Sequence, residues 1–568
     1  MQREASLPAV AVPSPGAPPA SGSARPAPVI AWLAARPRLL ALATGLAAAA
    51  GFQPLGLWPL ALAAMATFAA LAAASRSPRE AALLGWLFGL THFTFGNSWI
   101  ATAFTHQAQM PAMLGWLAVP LLALYLAIYP ALAALGARAL AGRGLTPAFA
   151  LAFAGCWTLA EWMRATVFTG YAWNPFAMVL LGPFDRPGLA ALSPWLGTYA
   201  LSGLAVLVAS GLALVATRRR WASLTIATAL LAIGMLLPAG PAREGHTAFT
   251  LVQPNLPQHR LNNPLYYEAN TARLMRLSAP AATGGRRLVL WPESGLADYL
   301  RPGYPQRYYD QMTALGDPAF ARRRLARAIG PGGLLMTGAV DLEIADGRAI
   351  GAYNAVTVID DAGEIVGGYA KAHLVPYGEY LPLRPLLEPL GLSRLVPGAI
   401  DFLPGPGPRT LDLGSYGQAG VQICYEIIFS GEVVEGSWLR GGTRPELIFN
   451  PSNDGWFGAS GPPQHLAQAR MRAIEEGLPV LRSTTTGISA VIDARGVVRA
   501  HLPMDRAGRI DGKVPPAHAP TPFALLGPLL TLGWVAVFLA AAGLAYARGQ
   551  RTDARPDDAG SVAALRQP

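Results

Sequence analysis

Charged residues are scarce in this sequence: Asp, Glu, Lys and Arg make up 14% of its 568 residues, whereas 52% are hydrophobic. The mean hydropathy is accordingly positive, at +0.33. A water-soluble chain of this length would hold several domains with charged surfaces, and this composition argues against such a chain. It is typical of a membrane protein that carries a soluble part.

Cysteine is also nearly absent. Cys156 lies inside an apolar segment and Cys424 ends a short run rich in Val and Ile, so one disulfide at most is possible and a structural bridge between these positions is not expected. The eight histidines form no HxH or HExxH pattern, and no CxxC occurs. We therefore expect neither a metal site nor a cofactor.

Long apolar runs are what the sequence does contain. Seven precede residue 239 and an eighth lies near the C-terminus, and most approach or exceed the ~20 residues that span a bilayer core. Their approximate ranges are 31–51, 57–74, 81–105, 113–140, 147–168, 189–217, 221–238 and 522–547. The first run is marginal, because Pro37 interrupts it and Gly51 to Pro54 end it early. Buried helices of a soluble core are the alternative, but eight runs with so few charges favour membrane spans.

Arginine marks every second connection between these runs. It precedes the first run and follows the second, fourth, sixth and eighth, at Arg25, Arg36, Arg38, Arg76, Arg79, Arg138, Arg143, Arg218, Arg219, Arg220, Arg548, Arg551 and Arg555. The connections after the first and third runs carry no Lys or Arg, and the one after the fifth carries only Arg186. Because basic loops stay in the cytoplasm, we predict cytoplasmic termini and an outward-facing segment between the seventh and eighth runs. This topology accounts for the formal charge of +11, so nucleic acid is not expected as a partner.

These patterns divide the chain into five parts. Residues 1–28 are rich in Pro, Ala, Ser and Gly and are predicted to be a disordered cytoplasmic tail, with a secretory signal as the alternative. Seven spans follow over 29–238, then an outward-facing domain over 239–521, the eighth span over 522–547 and a second cytoplasmic tail over 548–568.

The outward-facing domain reads as α/β. Eight short apolar runs end in turn-formers or polar residues, namely TAFTLVQPN, RRLVLWPES, GGLLMTGAV, AYNAVTVID, EIVGGYAKA, QAGVQICYE, ELIFNPSND and GISAVIDAR. Helix-length stretches such as Gln306–Ile329 and Pro463–Glu476 lie between several of them, and Asp361-Ala362-Gly363 is predicted to join two strands as a hairpin turn. Strands interleaved with helices predict an α/β domain with a sizeable core.

Three of these strands end in reactive side chains: Glu293, Lys371 and Cys424. A helix-like stretch follows the cysteine, so we expect it at a strand-to-helix corner, where a nucleophile is rigidly held near backbone N–H groups. Each residue has an ordinary alternative: a helix-capping carboxylate, a surface ammonium and a buried free thiol. Together they supply what acyl transfer through a thioester needs, which is a base for the thiol proton, a cation for the oxyanion and a nucleophile.

Four motifs carry a resemblance. WPES at 291–294, YAKAHLVPYGEY at 369–380, ICYE at 423–426 and NDGWFG at 453–458 resemble the signature blocks of the nitrilase superfamily, and more narrowly those of the apolipoprotein N-acyltransferase family. GFQPLGLWPLA at 51–61 also resembles the family's link between its first two spans. The resemblance implies an αββα sandwich inserted between the seventh and eighth helices of an eight-helix transmembrane bundle.

The resemblance also implies a role for individual residues. Glu293 would be the general base, Lys371 the oxyanion-stabilising cation and Cys424 the nucleophile that becomes S-acylated. The supporting residues would be Glu379, which steadies the lysine, with Tyr425 and Glu426, which shape the pocket; the Tyr425 N–H is a candidate oxyanion donor. Trp456 and Phe457 would lie near the site and contact lipid, and for Trp456 simple packing is an equal alternative.

The family reaction names the substrates and the compartment. A phospholipid, usually phosphatidylethanolamine, would acylate the cysteine, and the N-terminal amine of a diacylglyceryl apolipoprotein would then take the acyl group. The enzyme would be a monomer in the bacterial inner membrane with its catalytic domain on the periplasmic side. A membrane-tethered amidase or nitrilase is the first alternative, and a transporter or scaffold with a degenerate domain is the second.

The sequence leaves the role of three further features undecided. The apolar stretch 375–398 is a candidate lid or lipid-entry loop, with an ordinary packed loop as the alternative. In VQPNLPQHRLNN (252–263) the family pattern leads us to expect an aromatic residue where Asn262 and its neighbours stand. Glu161 and Arg164 in the fifth run are expected to pair with each other or to meet a lipid headgroup.

Overall fold

The computed structural model describes residues 35–106, 111–280, 285–390, 401–435 and 443–553. The tail predicted over 1–28 and the last residues of the chain, from 554, lie outside the described residues, as do positions 391–398 of the candidate lid.

Helices occupy part of every predicted apolar run. The longer helices of the chain are α1 (Pro37–Ala49), α2 (Trp58–Ala74), α3 (Pro78–Gly96), α4 (Leu114–Leu126), α5 (Ile128–Ala141), α6 (Pro147–Thr166), α7 (Ser193–Thr217), α8 (Trp221–Leu236), α9 (Tyr267–Leu277), α10 (Pro318–Ile329), α11 (Gly461–Glu476) and α12 (Pro528–Asp553). Shorter helices cover Ile100–Ala103, Gln258–Leu261, Gln306–Met312, Arg384–Leu387 and Pro522–Leu526.

Three apolar helical stretches within the described residues are long enough to cross a membrane. They are Leu114–Ala141, which joins α4 to α5, Leu189–Thr217 and Pro528–Arg551, with 28, 29 and 24 residues. α1, α2 and α8 are apolar but shorter. The structure therefore bears out long apolar helices, whereas eight full spans remain a prediction.

The starts of these helices follow local rules. Pro37 is the first residue of α1, where proline is favoured because it lacks the N–H that a first helical residue would leave unpaired. The helix of the first run therefore begins only at Pro37, and the described residues 35 and 36 before it are not helical. Ser77 and Thr146 cap α3 and α6 by accepting the N–H groups of Glu80 and Phe149.

Small residues let the apolar helices pack closely. A Cβ atom added at Gly45 would lie 2.1 Å from the Phe88 carbonyl oxygen, and one added at Gly85 would lie 2.5 Å from that of Pro130. Large apolar side chains point away from this core; Trp221, Leu230 and Leu544 are each more than 60% exposed. An apolar outer surface over a tightly packed interior is what a bilayer environment favours.

The second part of the chain forms two six-stranded sheets. Its strands are β1 (Ala248–Gln253), β2 (Arg287–Leu290), β3 (Gly333–Ala345), β4 (Arg348–Ile359), β5 (Ile365–Ala370), β6 (Thr410–Asp412), β7 (Gln418–Val421), β8 (Leu447–Ser452), β9 (Val480–Thr484), β10 (Ser489–Ile492), β11 (Val498–Leu502) and β12 (Gly508–Lys513). The orders are β12-β1-β2-β3-β4-β5 and β11-β10-β9-β8-β7-β6. Strands β1, β2 and β3 run parallel, as do β7, β8 and β9.

Alternation along the strands builds two cores. Leu288 and Leu290 of β2 pack between the sheets against residues of the second sheet such as Phe449. Val289 points to the other face and packs with Leu325 of α10. Because successive side chains of a strand face opposite ways, β2 is buried on both sides. The predicted α/β domain is confirmed as two six-stranded sheets covered by helices.

Local predictions in this domain have mixed outcomes. Each of the eight predicted strands contains an observed strand, and the Asp361-Ala362-Gly363 turn joins β4 to β5 as an antiparallel pair. The predicted helix Gln306–Ile329 is two helices, Gln306–Met312 and α10. The first ends where Thr313 turns extended, and α10 begins anew at Pro318 with Asp317 as its N-cap. The helix expected after Cys424 is wrong within the described residues: a 3₁₀ turn, Cys424–Ile428, follows instead. Strands β6, β9, β11 and β12 were not predicted.

Candidate active site

The structure brings Glu293, Lys371 and Cys424 to the wall of one cavity of about 1260 Å³. Glu293 follows β2 and Lys371 follows β5 in the first sheet, whereas Cys424 follows β7 in the second. Glu379, Tyr425, Trp456 and Phe457 line the same cavity. The sandwich of two sheets is thus what joins side chains that lie far apart in sequence.

Lys371 is buried between two carboxylates. Its Nζ lies 3.0 Å from Glu379 and 3.4 Å from Glu293 Oε1, and its side chain is 1% exposed. Burial by itself lowers the pKa of this ammonium, but Glu379 and then Glu293 outweigh that effect and raise the pKa above its usual range. Lys371 is therefore a fixed positive charge at the cavity wall.

Two asparagines orient the carboxylates. The Asn354 side-chain amide donates to Glu293 Oε1 at 2.7 Å and to Glu379 Oε1 at 2.9 Å. The Asn453 backbone N–H, from the second sheet, donates to Glu293 Oε2 at 2.7 Å. Both oxygens of Glu293 are thus held in place, and the Asn453 contact connects the two sheets at the site. Sequence reasoning missed both residues; a polar Asn354 inside the apolar run AYNAVTVID was the available signal.

Cys424 has an unusual backbone for a non-glycine residue, with φ at 51°. Its side chain is buried. Burial and the neighbouring Glu293 raise the pKa of the thiol, while Lys371 opposes them. The thiol is therefore protonated at neutral pH and needs a base to react, since only the thiolate is a good nucleophile. Left-handed backbone at a non-glycine residue stores strain and is concentrated at functional sites.

Glu426 connects the segment that holds Cys424 to the segment that holds Lys371. Its carboxylate accepts hydrogen bonds from the Ile423 N–H, the Tyr369 hydroxyl and the Ala372 N–H, each at 2.8 Å. Ile423 precedes Cys424 and Ala372 follows Lys371, so one buried carboxylate holds both catalytic candidates. Glu426 does not line the cavity itself.

Trp456 and Phe457 differ in how deeply they are buried. Trp456 is half-buried and its ring lies 5.8 Å from the His106 ring. Phe457 is buried and packs edge-on against Trp99 at 4.7 Å. Both line the cavity, so contact with a lipid stays a prediction for each.

The far part of the cavity is apolar and is formed by apolar helices. Leu114, Leu117 and Leu121 of α4 line it, together with residues of the stretch 375–387. Leu383 and Leu386 in that stretch are 66% exposed. Gln258, Leu261 and Asn262 of the segment 252–263 also line the cavity, as does Tyr267 shortly after it. Within the described residues, no group of three or more His, Cys, Asp or Glu side chains could hold a metal ion.

Glu161 and Arg164 lie in α6, and each has its own backbone partners. Glu161 accepts hydrogen bonds from the Trp157 indole at 3.0 Å and from the Phe176 N–H at 2.8 Å. Arg164 donates to the carbonyls of Tyr171 and Trp173, both at 2.8 Å. These contacts tie α6 to the loop beside the cavity.

A two-sheet domain with a thiol, an ammonium and carboxylates at one cavity defines the carbon–nitrogen hydrolase class. Residues 250–518 match the family model described as carbon-nitrogen hydrolase, and residues 44–211 match the one described as apolipoprotein N-acyltransferase N-terminal domain. The chain belongs to the apolipoprotein N-acyltransferase family, as its relatives show.

Proteins of this name are similar over most of the chain. The one from Rhodopseudomonas palustris is 35% identical over 526 residues, which cover 88% of this chain and 93% of the relative. The one from Bradyrhizobium diazoefficiens is 36% identical over 486 residues, covering 81% and 85%. Among solved structures, an amidase from Nesterenkonia sp. AN1 aligns with 49% of this chain and 94% of its own at 20% identity, with a TM-score of 0.31.

Proposed function

We propose that this protein transfers an acyl chain from a membrane phospholipid, through a thioester on Cys424, to the N-terminal amine of the diacylglyceryl-cysteine of apolipoproteins. One observation carries the proposal: the cavity that holds Glu293, Lys371 and Cys424 continues between apolar helices. A reactive centre that opens onto lipid-facing surface suits a substrate held in the bilayer. The name shared by its relatives supports the same activity.

The first half-reaction forms the thioester. Glu293 takes the thiol proton as the Cys424 sulfur attacks the ester carbonyl carbon of the phospholipid. Lys371 and the Tyr425 N–H stabilise the oxyanion that develops on the carbonyl oxygen. The C–O bond then breaks, Glu293 gives its proton to the leaving alkoxide, and lysophospholipid departs. The raised pKa of the thiol requires this general base, because little free thiolate exists beforehand.

The second half-reaction consumes the thioester. The apolipoprotein amine attacks the thioester carbonyl carbon, and Glu293 accepts the proton that the nitrogen loses. Collapse of the oxyanion breaks the C–S bond, and the proton returns to the sulfur. An amide forms and the thiol is regenerated, so neither metal nor cofactor takes part. Glu379 and Asn354 hold Lys371 and Glu293 in position through both steps.

The donor is proposed to be phosphatidylethanolamine, and Trp456 and Phe457 are proposed to contact its lipid part. The apolar arm of the cavity, lined by Leu117 and Leu121, suits an acyl chain. The stretch 375–387, which lines the same arm, suits an entry loop. A protein of one chain is sufficient for this scheme.

We propose the topology that the arginine pattern indicates. Eight spans would carry the catalytic domain, residues 239–521, between the seventh and eighth, on the periplasmic side of the bacterial inner membrane. Both termini would be cytoplasmic. Both substrates are anchored in the bilayer, so a domain tethered by spans on each side meets them by lateral diffusion.

An amidase that acts on a soluble substrate is the weaker alternative. The same thioester chemistry would serve it. The apolar part of the cavity, lined by α4 residues, would make no favourable contact with a small water-soluble amide. This feature favours the lipid donor.

The proposal is tested with purified protein and labelled phosphatidylethanolamine. We expect a hydroxylamine-sensitive acyl adduct on the wild type and on Cys156→Ala, and none on Cys424→Ala. Cys156 is the matched control because it is the other cysteine of the chain. Hydrolysis of soluble amides without a lipid adduct would support the amidase, and an adduct that survives Cys424→Ala would refute the assignment of the nucleophile.

A further inference from the structure

A buried polar cluster lies behind Cys424, and the mechanism above does not use it. It consists of His465 on α11, Asp454 after β8 and Arg482 on β9, whose side chains are fully buried. None of the three lines the cavity. Burying charged groups costs desolvation free energy, which must be offset by the contacts they make. The partners of this cluster therefore indicate what it does.

The cluster contacts the backbone of Cys424, the candidate nucleophile. His465 Nε2 lies 3.0 Å from the Cys424 carbonyl oxygen. A carbonyl oxygen only accepts hydrogen bonds, so Nε2 carries a proton and donates it. Arg482, which only donates, lies 3.0 Å from Nδ1 of the same ring. The Arg482 contact favours the neutral ring with its proton on Nε2, whereas Asp454 Oδ1, 3.1 Å from the same Nδ1, favours the imidazolium. Nε2 donates to the Cys424 carbonyl in both forms.

Asp454 keeps this arrangement in place. Both of its oxygens lie 2.8 Å from Arg482, and Oδ1 also accepts the Ser452 hydroxyl at 2.7 Å. Burial and then Arg482 lower the pKa of His465, which favours the neutral ring. If Nδ1 also became protonated, its N–H would donate to Asp454 Oδ1, 3.1 Å away. The hydrogen bond donated by Nε2 would not change. The bond to Cys424 thus persists in either protonation state.

The bonded carbonyl belongs to the same peptide unit as the Tyr425 N–H. In a trans peptide the C=O and N–H point in opposite directions, so fixing the oxygen of Cys424 also fixes the direction of the Tyr425 hydrogen. The oxygen is held by a residue that does not line the cavity, whereas Tyr425 does line it. Among the described residues, no backbone acceptor is found for the Tyr425 N–H.

The backbone of Cys424 is left-handed, with φ at 51°, and such a conformation is costly for a residue with a Cβ. The hydrogen bond from His465 holds the peptide that follows this strained residue and so opposes rotation about the Cα–C bond of Cys424.

We propose that His465 is a positioning residue for acyl transfer: by holding the Cys424 carbonyl, it directs the Tyr425 N–H toward the oxyanion. The inference rests on the proposed function only for the identity of the acyl donor. The geometry applies to any ester that acylates Cys424.

The test compares two reactions of the same thiol in His465→Leu, His465→Gln and His465→Asn. S-acylation by p-nitrophenyl butyrate passes through an oxyanion, whereas alkylation by iodoacetamide does not. Loss of an oxyanion donor costs roughly 10²-fold or more, so we expect His465→Leu to slow S-acylation by about 10- to 100-fold. Alkylation should change by less than about twofold, because the sulfur and Glu293 are untouched.

Rescue separates positioning from packing. Glutamine can place an amide N–H near the position of Nε2, so His465→Gln should recover most of the S-acylation rate, and the shorter His465→Asn should not. Gln468→Leu is the matched control: Gln468 lies on the same helix, is buried, and its amide has no hydrogen-bond partner among the described residues. Its S-acylation should equal that of the wild type.

Three results would overturn the inference: wild-type S-acylation in His465→Leu, an equal loss of alkylation, or equal rates in the Gln and Asn variants. The last comparison decides even where His465→Leu does not fold. Wild-type protein that reacts with p-nitrophenyl butyrate but not with phosphatidylethanolamine would refute the proposed function alone, and the His465 comparison would still stand. A wild-type thiol that neither ester acylates refutes both.

Discussion

Lys371 shows how single residues set the chemistry of the site. Its ammonium lies in a cavity wall where burial disfavours charge, and it stays charged because Glu379 and Glu293 lie within 3.4 Å. Glu379 also accepts the Val375 N–H at 2.9 Å, so it fixes the loop that follows the lysine. The supporting carboxylate therefore has both an electrostatic and a geometric effect.

Glu379→Gln should slow S-acylation of Cys424 by about 10- to 100-fold, because an oxyanion donor that is less firmly held stabilises less charge. Removal of a carboxylate that raises the pKa of Lys371 lowers that pKa, so the alkaline loss of activity should move to lower pH. Single-turnover rates between pH 6 and 10 measure both effects. Glu388→Gln, an exposed carboxylate on the same segment, is the control. Wild-type rates and an unchanged pH profile in Glu379→Gln would contradict this role.

Helix α11 shows what one element does at the junction of the two parts of the molecule. Gln464 accepts hydrogen bonds from the Trp173 indole at 2.8 Å and from the Asn174 amide at 2.9 Å. Arg470 donates to the Gly182 carbonyl at 2.8 Å. All three partners lie in loops between apolar helices, so α11 fastens the catalytic domain to them while His465 contacts Cys424.

Glu476 ends this helix, and its burial predicts a stability that depends on pH. Burial and then Glu475 raise the pKa of Glu476 to about 8. Between the usual carboxyl pKa of 4.5 and about 8 the folded state holds a proton that the unfolded chain releases. The stabilisation is therefore complete below the lower value and is lost as the pH rises through the upper one.

Glu476→Gln should remove this dependence. Its melting temperature in detergent should exceed that of the wild type by ~2–4 °C at pH 9, since about 1 kcal/mol corresponds to such a shift, and the gap should narrow toward pH 5. Glu446→Gln, at an exposed position, should follow the wild type throughout. Parallel melting curves for Glu476→Gln and the wild type would show that the carboxyl is not held neutral.

At the scale of the whole molecule, the cavity belongs to neither part alone. The polar end comes from the strand ends of the two sheets and the apolar end from α4 and the stretch 375–387. Leu117 and Leu121 are more than half exposed although they line the cavity. Side chains that face both a cavity and the outer surface mark an opening, and this opening lies on the apolar outer surface of α4.

Leu121→Gln should therefore weaken the lipid reaction selectively. Loss of one leucine contact costs about 1.4 kcal/mol, so acylation by limiting phosphatidylethanolamine should slow by about tenfold. Acylation by p-nitrophenyl butyrate should not change. Leu230→Gln, at a position on α8 that is also more than half exposed and is absent from the cavity wall, should leave both reactions intact. Equal effects of the two variants on the lipid reaction would argue against entry at this opening.

The sequence by itself determined what depends on local pattern. Long apolar runs predicted the helices, short apolar runs ending in turn-formers or polar residues predicted eight strands, and strand ends pointed to Glu293, Lys371 and Cys424. The misses are also local: the chain turns extended at Thr313 between two helices that were predicted as one, and a 3₁₀ turn replaces the helix expected after Cys424. Short strands such as β12 carry little pattern of their own, and β12 is defined by its pairing with β1, more than 250 residues earlier.

Only the tertiary structure decided how the site is held together. Asn354, Asn453 and His465 contact Glu293 or Cys424 across 41 to 160 positions of sequence, and hydrogen bonds of that kind depend on how two sheets face each other. The direction of the Tyr425 N–H depends on one such contact. The periodicity of a sequence indicates which face of an element is buried, but not which buried polar atoms form hydrogen bonds with each other. For this reason the reactive residues could be predicted from the sequence, whereas the contacts that position them could not.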